Sequence, residues 1–402
     1  MDQYLFSGLK VIDCATVIAA PAAAMILADF GAEVIKVEQP GAGDMLRIIS
    51  DIPTTPDAES DWAWQLDGRN KRSLVLDLKR REGKEILDKL VGQCDVFITN
   101  QPYSVRETLG LCYDDLRALN PALIYASLTA YGERGPERYR KGFDQLAYWA
   151  RSGLMDLMRA PDTVPTQGLP GMGDHPTGVT LYAGIVTALL KRERTGEGSM
   201  VHTSLLANGL WSAAGVAQGA MAAGDMPAYR ERNRVNSVMF RVYRTSDDRW
   251  LQFNMVRNEE MFSTALIGLE AEHLLADERF AAPEDAWENR EALGDKIQAI
   301  IAQKTSAEWL SIFADLDLPV NRVAVVEEAA TDRQVLENEM AVAPADKSMN
   351  VPLLLNHPIK VAGVPQVDAR RAPELGEHGA EVLRELGYAD ARIVELQARG
   401  VI

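Results

Sequence analysis

In the first third of the chain, apolar residues gather in short continuous runs. Leu9–Cys14 (LKVIDC), Glu33–Glu38 (EVIKVE), Ser73–Leu78, Asp95–Thr99 (DVFIT) and Leu123–Leu128 (LIYASL) are of strand length. Such runs mark strands buried on both faces. Helix-length segments lie between them. Pro21–Phe30 (PAAAMILADF) is Ala-rich, with Pro21 suited to a first helical turn and Gly31 to a C-terminal cap. Arg81–Val91 is a second helix of this kind. Strands alternating with helices predict an α/β fold with a parallel sheet and helices on both faces.

The pattern then changes. Ala150–Gly173 is rich in Gly, Pro and Met and reads as a loop or a path between domains. Pro176–Arg192 (PTGVTLYAGIVTALLKR) is a strong helix, closed by a turn at Thr195–Gly198. A short run, Val201–Ser204, and a long Ala-rich helix, Leu205–Ala223, follow. Between Met239 and Val256 the pattern is hairpin-like, FRVYRTS and RWLQFNMV about Asp247–Asp248, with helical segments to about Ala314. Residues 225–330 therefore read as a smaller α+β domain after an α/β region at 1–224. The tail, 331–402, regains α/β character: Pro352–Val361 is extended, and Gly379–Leu386 and Asp390–Arg399 are helical.

Composition narrows the function. A chain of 402 residues with average apolar and charged fractions is neither disordered nor fibrous. Its 42 Lys and Arg stand against 58 Asp and Glu, a net charge of −16, which opposes nucleic-acid binding. Any anionic ligand must be met by a local basic site. Cys14, Cys94 and Cys112 form no CxxC pair and, being odd in number, no disulfide framework; Cys14 and Cys94 read as small core residues, consistent with a reducing cytoplasm. The opening MDQYLFSGLK has neither a basic segment nor an apolar core, so no secretory leader is expected. The longest apolar stretch, Val17–Leu27, is far short of the roughly 20 residues of a membrane span.

The opening βαβ unit, with Glu38 ending its second strand, hints at a dinucleotide fold. Its first turn, ATVIAAP, contains no glycine, so a pyrophosphate could not approach the backbone there and NAD or FAD is not expected. No P-loop, G-x-S-x-G elbow or HExxH occurs, and the five histidines show no metal-ligand spacing. Four segments remain. In Leu169–Gly178 (LPGMGDHPTG), Asp174 either caps the following helix or, among glycines at a helix start, acts as a nucleophile; His175 reads as a neighbour or capping group, not a base. Ala130–Asp144 (AYGERGPERYRKGFD) carries Arg134, Arg138, Arg140 and Lys141, either a solvated loop or a phosphate- or pantetheine-contacting one. Lys71–Arg81 holds Arg72, Lys79, Arg80 and Arg81 around a strand, a common edge pattern. Asn100–Gly110 (NQPYSVRETLG) follows a strand's carboxyl end and offers Arg106 to a phosphate, though a lone Arg is more often solvated.

Together these segments resemble the class III coenzyme A transferases, the CaiB/BaiF family. GLKVIDCATVIAAPAAAMILADFGAEVIKVEQPGAGDMLR is similar to the family's N-terminal signature, as are NKRSLVLDLK, AYGERGP, GMGDHPTG with its helix and RTGEG, and LGEHGAEVLRELG. The resemblance implies a Rossmann-like large domain built from both chain ends, a small domain, and two ring-shaped subunits interlocked as a homodimer. It implies transfer of CoA from an acyl-CoA to a free carboxylate, with the family's catalytic aspartate matching Asp174. The family's CoA-contact positions fall on Ile18, Ala19, Gln39, Leu76, Asp77, Lys79, Asn100, Gln101, Pro102, Lys141, Phe143 and Asp144. A basic residue common at the Gln39 position is absent, and the family arginine near Asn100 falls on Thr108, so Arg106 is expected to serve instead.

The family also includes α-methylacyl-CoA racemases, which need a His–Asp acid/base pair from a GHD triplet and an aspartate. Here the triplet is Gly142-Phe143-Asp144, and phenylalanine carries no proton. Formyl-CoA:oxalate transferases have Gln where this chain has Ile18, and a tetraglycine loop where this chain has no Gly-Gly pair at all. GFDQLAYWARSGL and PGMGDHPTG resemble the branch acting on 2-hydroxy acids such as aryl-lactates and 2-hydroxyisocaproate. A non-catalytic acyl-CoA-binding homologue would instead leave Asp174 exposed and remote from the basic loops.

Overall fold

The computed structural model describes residues 3–255 and 259–402. The chain divides into two compact units, Met1–Gln218 with Arg333–Ile402, and Gly219–Asp332.

In the first unit, β1 (Lys10–Asp13), β2 (Glu33–Glu38), β3 (Lys71–Val75), β4 (Val96–Thr99), β5 (Ile124–Thr129) and β6 (Ser199–Ser204) form one sheet. Their order is β3-β2-β1-β4-β5-β6 and every pair is parallel. The order reverses between β1 and β4, so a crevice opens at their carboxyl ends. The connecting helices are α1 (Ala19–Asp29), α2 (Trp62–Gly68), α3 (Arg81–Val91), α4 (Tyr103–Leu109), α5 (Tyr113–Leu119), α6 (Leu154–Leu157), α7 (Asp174–Thr195) and α8 (Leu205–Ser212).

The two-sided burial expected of continuous apolar runs is visible residue by residue. Val96, Ile98, Ile124 and Ala126 face one core with Ile26, Leu181 and Ile185. Phe97 and Tyr125, one position out of phase, face a second core with Leu87, Val382 and Leu396. The period of two along a strand separates these sets. Val382 and Leu396 come from the terminal helices Gly379–Glu385 and Asp390–Ala398, so the tail completes a core begun by the first strands.

Two helices meet closely where the site is built. A Cβ on Gly178 of α7 would stand 2.5 Å from the Ala19 carbonyl and 3.0 Å from Ala22 Cβ on α1, so only glycine permits this approach. α1 and α7 therefore begin side by side, at the carboxyl end of the sheet.

Several sequence expectations shift. β3 begins at Lys71, because buried Lys71 finds Asp13 as a partner at 2.9 Å. Ala150–Gly173 lies inside the first unit and includes α6 after a π-helical turn, Gln145–Ala150. The long helix from Leu205 breaks at Ala213, before Ala214–Met221. Within Pro352–Val361 only Leu354–Leu355 pairs as a strand, with Ala341–Val342.

The second unit holds a three-stranded antiparallel sheet, β7 (Val242–Arg244), β8 (Trp250–Phe253) and β9 (Val320–Arg322). The expected hairpin turns at Asp248, which takes a left-handed φ of 61°; Val256, its expected end, lies outside the described residues. Tyr243, Phe253, Trp309 and Phe313 pack ring against ring in the unit's core, Trp309 stacked on Phe313 and the other pairs edge to face.

Candidate active site

Asp174 is the first residue of α7, and the cap position before it is Gly173. No hydrogen bond among the described residues engages its carboxylate, so Asp174 does not cap the helix as one reading of the sequence allowed. The loop before it is pressed onto two rings. A Cβ on Gly168 would stand 2.2 Å from the Trp149 ring, and one on Gly173 would stand 2.5 Å from the Tyr148 ring. The glycines are there to let the backbone lie on these aromatics.

Three ionisable neighbours define the electrostatics. Asp144 is buried; its carboxylate accepts from the Gln145 N–H at 2.7 Å and the Gly173 N–H at 3.4 Å, and so stands beside Asp174. His175 Nε2 lies 3.3 Å from Oδ2 of the buried Asp67 on α2. Burial first, and then the negative charge of Asp144, push the Asp174 carboxyl up to about 7, with His175 pulling the other way. Burial disfavours a charged His175, but the nearby carboxylate of Asp67 prevails and raises its pKa.

The turn from β1 into α1 is fixed at three successive residues. Lys36 Nζ donates to the Ala15 carbonyl at 2.6 Å. Asn100 accepts from the Thr16 N–H at 2.8 Å and donates to the Thr16 carbonyl at 2.7 Å. Asp44 Oδ1 accepts from the Val17 N–H at 2.8 Å. Val17 has φ 68°, a left-handed conformation that a β-branched residue adopts at about 1–3 kcal/mol. In this fold a glycine commonly occupies such a turn; here buried charges hold a valine in its place. Lys36 is also 2.6 Å from Asp44 and 3.6 Å from Asp13, which Lys71 reaches at 2.9 Å. The next residue, Ile18, meets the loop before Asp174: its Cδ1 is 3.1 Å from where a Gly171 Cβ would stand.

A cleft of about 500 Å³ opens at the carboxyl ends of β1 to β4. Five residues expected from sequence line it: Gln39, Leu76, Asp77, Lys79 and Gln101. Thr16, Asp44 and Cys14 line it too, and were not anticipated there. Cys14 is packed and not reactive, since burial and Asp13 push its thiol up to about 12. Asn100 acts behind this wall through Thr16, and Pro102 caps α4. Ile18 and Ala19 lie at the α1 start beside α7; Lys141 and Phe143 are exposed on the loop that ends in Asp144.

The basic residues need sorting. Arg106 is 1% exposed; it binds Tyr125 at 3.2 Å, Ser127 at 3.1 Å and Glu133 at 3.0 Å. Its expected phosphate contact is therefore corrected: the guanidinium is held inside the fold by a carboxylate and two hydroxyls. Arg72 pairs with Glu381 and Glu385, Arg80 with Asp77, Arg81 with Glu85 and Arg140 with Glu137. Arg138 lies over the rings of Tyr103 and Tyr139. Lys79, Arg134 and Lys141 are exposed with no ion pair among the described residues, and these are the cations free to meet an anion. Asp67 had no signal in the sequence, since its helix is short and its partner lies far along the chain. The Gly41–Gly43 turn before Asp44, with left-handed φ at both glycines, was the available signal for that residue.

A crevice at the strand reversal of an α/β fold is where such sheets bind ligands, and a carboxyl with a strongly raised pKa at a helix start marks an enzyme's active-site candidate. Residues 6–379 match the family model described as CoA-transferase family III, and the chain belongs to that family. It is 31% identical over 390 residues to (R)-2-hydroxy-4-methylpentanoate CoA-transferase of Clostridioides difficile, covering 97% of each chain. It is 34% identical over 401 residues to cinnamoyl-CoA:phenyllactate CoA-transferase of Clostridium sporogenes, covering 98% of this chain and 96% of the other. A solved CAIB/BAIF family protein from Brucella suis superposes with a TM-score of 0.82 at 29% identity, covering 96% of this chain and 100% of that one.

Proposed function

We propose that this enzyme moves CoA from an acyl-CoA thioester to a free carboxylic acid, with Asp174 as the nucleophile. The observation that carries this reading is the Asp174 carboxylate itself: desolvated, free of hydrogen bonds, and raised to about 7. A carboxylate of that basicity is still substantially ionised at neutral pH and is a better nucleophile than a solvated one.

One carboxylate oxygen of Asp174 attacks the donor's acyl carbon; the C–S bond breaks and CoA leaves as thiolate, giving an acyl-aspartyl anhydride. The thiolate attacks the aspartyl carbonyl, releasing the donor acid and leaving an enzyme–CoA thioester. The acceptor carboxylate attacks that thioester, expelling CoA thiolate and forming a second anhydride. The thiolate then takes the acceptor's acyl group and frees Asp174. No step consumes or releases a proton, so no acid/base pair is required. Four modest barriers replace one high one.

In this reading CoA occupies the cleft, with Gln39, Leu76, Asp77, Lys79 and Gln101 along it and Lys141 reaching its phosphates. Ile18 and Phe143 are assigned to the acyl end. Together with the relatives' names, these apolar side chains favour a 2-hydroxy acid with a branched or aromatic side chain. The racemase alternative lacks a proton carrier at Phe143. By resemblance to the family, the chain works as an interlocked homodimer, its large domain built from residues 1–224 and 331–402 and its small domain from 225–330; its cysteine usage favours the cytoplasm. Incubation with acyl-CoA donors and free acids in heavy water tests the function. New acyl-CoA without α-deuterium is expected; α-exchange without transfer refutes it.

A further inference from the structure

The pair formed by His175 and Asp67 is not used by the steps above. Neither His175 Nε2 nor Oδ1 of Asp67 has a hydrogen-bond partner among the described residues, and the Asp67 side chain is nearly sealed, 2% exposed. A carboxylate in that position is costly unless a cation stays with it. Its Oδ2 is 3.3 Å from His175 Nε2, and His175 directly follows Asp174.

We propose that His175, paired with the buried carboxylate of Asp67, is a positioning residue that, when protonated, places a positive charge beside Asp174 and so holds the nucleophile ionised against Asp144. This rests on the transferase reading for its purpose but not for its measurement.

The charges facing the group are few. Asp174 is faced by Asp144 from the π-helical turn, by His175 on its own helix and by Asp67 from α2. His175 is faced by Asp67, Asp174 and the Gly171 carbonyl. Lys71 on β3 lies within electrostatic reach of Asp67 but is itself bound to Asp13. α1, packed on α7, carries no ionisable side chain from Ala19 to Ala28. His175 is therefore the only group that can carry a positive charge directly beside the nucleophile among the described residues.

The test is the titration of the Asp174 carboxyl carbon by NMR in ¹³C-aspartate protein, assigned by its loss in Asp174→Asn. His175→Asn should move its midpoint up, by on the order of one pH unit, and His175→Lys should move it back. Asp67→Asn should lower the titration of His175. In parallel, the rate at which acyl-CoA modifies Asp174 should fall on the order of tenfold at pH 6 in His175→Asn and be nearly unchanged at pH 8.5. An unmoved Asp174 midpoint, or a loss equal at every pH, overturns the proposal and leaves His175 a packing residue. If the midpoint moves as expected but no acyl-CoA modifies Asp174, the charge role stands and the transferase reading falls.

Discussion

A nucleophile raised by burial must weaken the fold that buries it. The Asp174 carboxyl titrates near 7 in the folded chain against an ordinary 3.8, so folding favours the protonated form. Below about pH 4 the group is protonated whether folded or unfolded and contributes nothing. As pH rises from 3.8 towards 7 the unfolded chain ionises first and stability is lost; above about 7 the loss is complete. A separation of about three pH units corresponds to about 4 kcal/mol at most. Because the side chain is only half-buried, solvent screening reduces this to about 2–3 kcal/mol. Asp174→Asn keeps the shape and removes the charge. At pH 8 it should raise the melting temperature by about 4–6 °C, on the scale of roughly 2 °C per kcal/mol for a unit of this size. The gain should shrink as pH falls and vanish near pH 4. Differential scanning fluorimetry from pH 4 to 8.5 follows the trend directly. An unchanged melting temperature at pH 8, or a gain that grows on acidification, would refute the argument from burial.

Other perturbations separate roles that look alike in the sequence. Lys79→Ala and Lys141→Ala should raise the KM for acyl-CoA several-fold and flatten its salt dependence while leaving kcat near wild type; a kcat loss without a KM change would contradict their assignment as phosphate contacts. Arg106→Ala should instead lower stability by about 3–5 kcal/mol, because it strands Glu133 in the interior, and a melting curve like wild type would contradict that. Gly178→Val should force α1 away from α7, costing about 1–3 kcal/mol in stability and a disproportionate, roughly hundredfold, loss of kcat through displacement of Asp174. Retained kcat would show that the helix crossing does not position the nucleophile.

How far the molecule could be read from its sequence depends on the range of the interactions involved. β2 and α3 occupy the segments expected, Glu33–Glu38 and Arg81–Val91, because a buried parallel strand and an amphipathic helix declare themselves locally. Asp174 stood out because three glycines and two prolines around one carboxylate are a local signal. The start of β3 was missed because a lysine reads as an edge residue until Asp13, on another strand, is known to face it. Arg106 looked like a phosphate ligand for the same reason, its true partner Glu133 being on the next loop. Val17 shows the reverse: a turn without glycine excluded a dinucleotide, yet the chain makes the left-handed turn anyway, held by Asp44 and Asn100. Of the basic loops, the sequence revealed charge but not its neutralisation, and most of it is spent on Glu137, Glu85, Asp77, Glu381 and Glu385.

The central claim is that Asp174 itself carries the transferred group. The most direct measurement is mass spectrometry of the enzyme after incubation with an acyl-CoA and trapping with hydroxylamine. The account predicts Asp174 recovered as its hydroxamate, dependent on acyl-CoA and absent from Asp174→Asn. Transfer that proceeds with Asp174 unmodified, or with the hydroxamate on another residue, would contradict it.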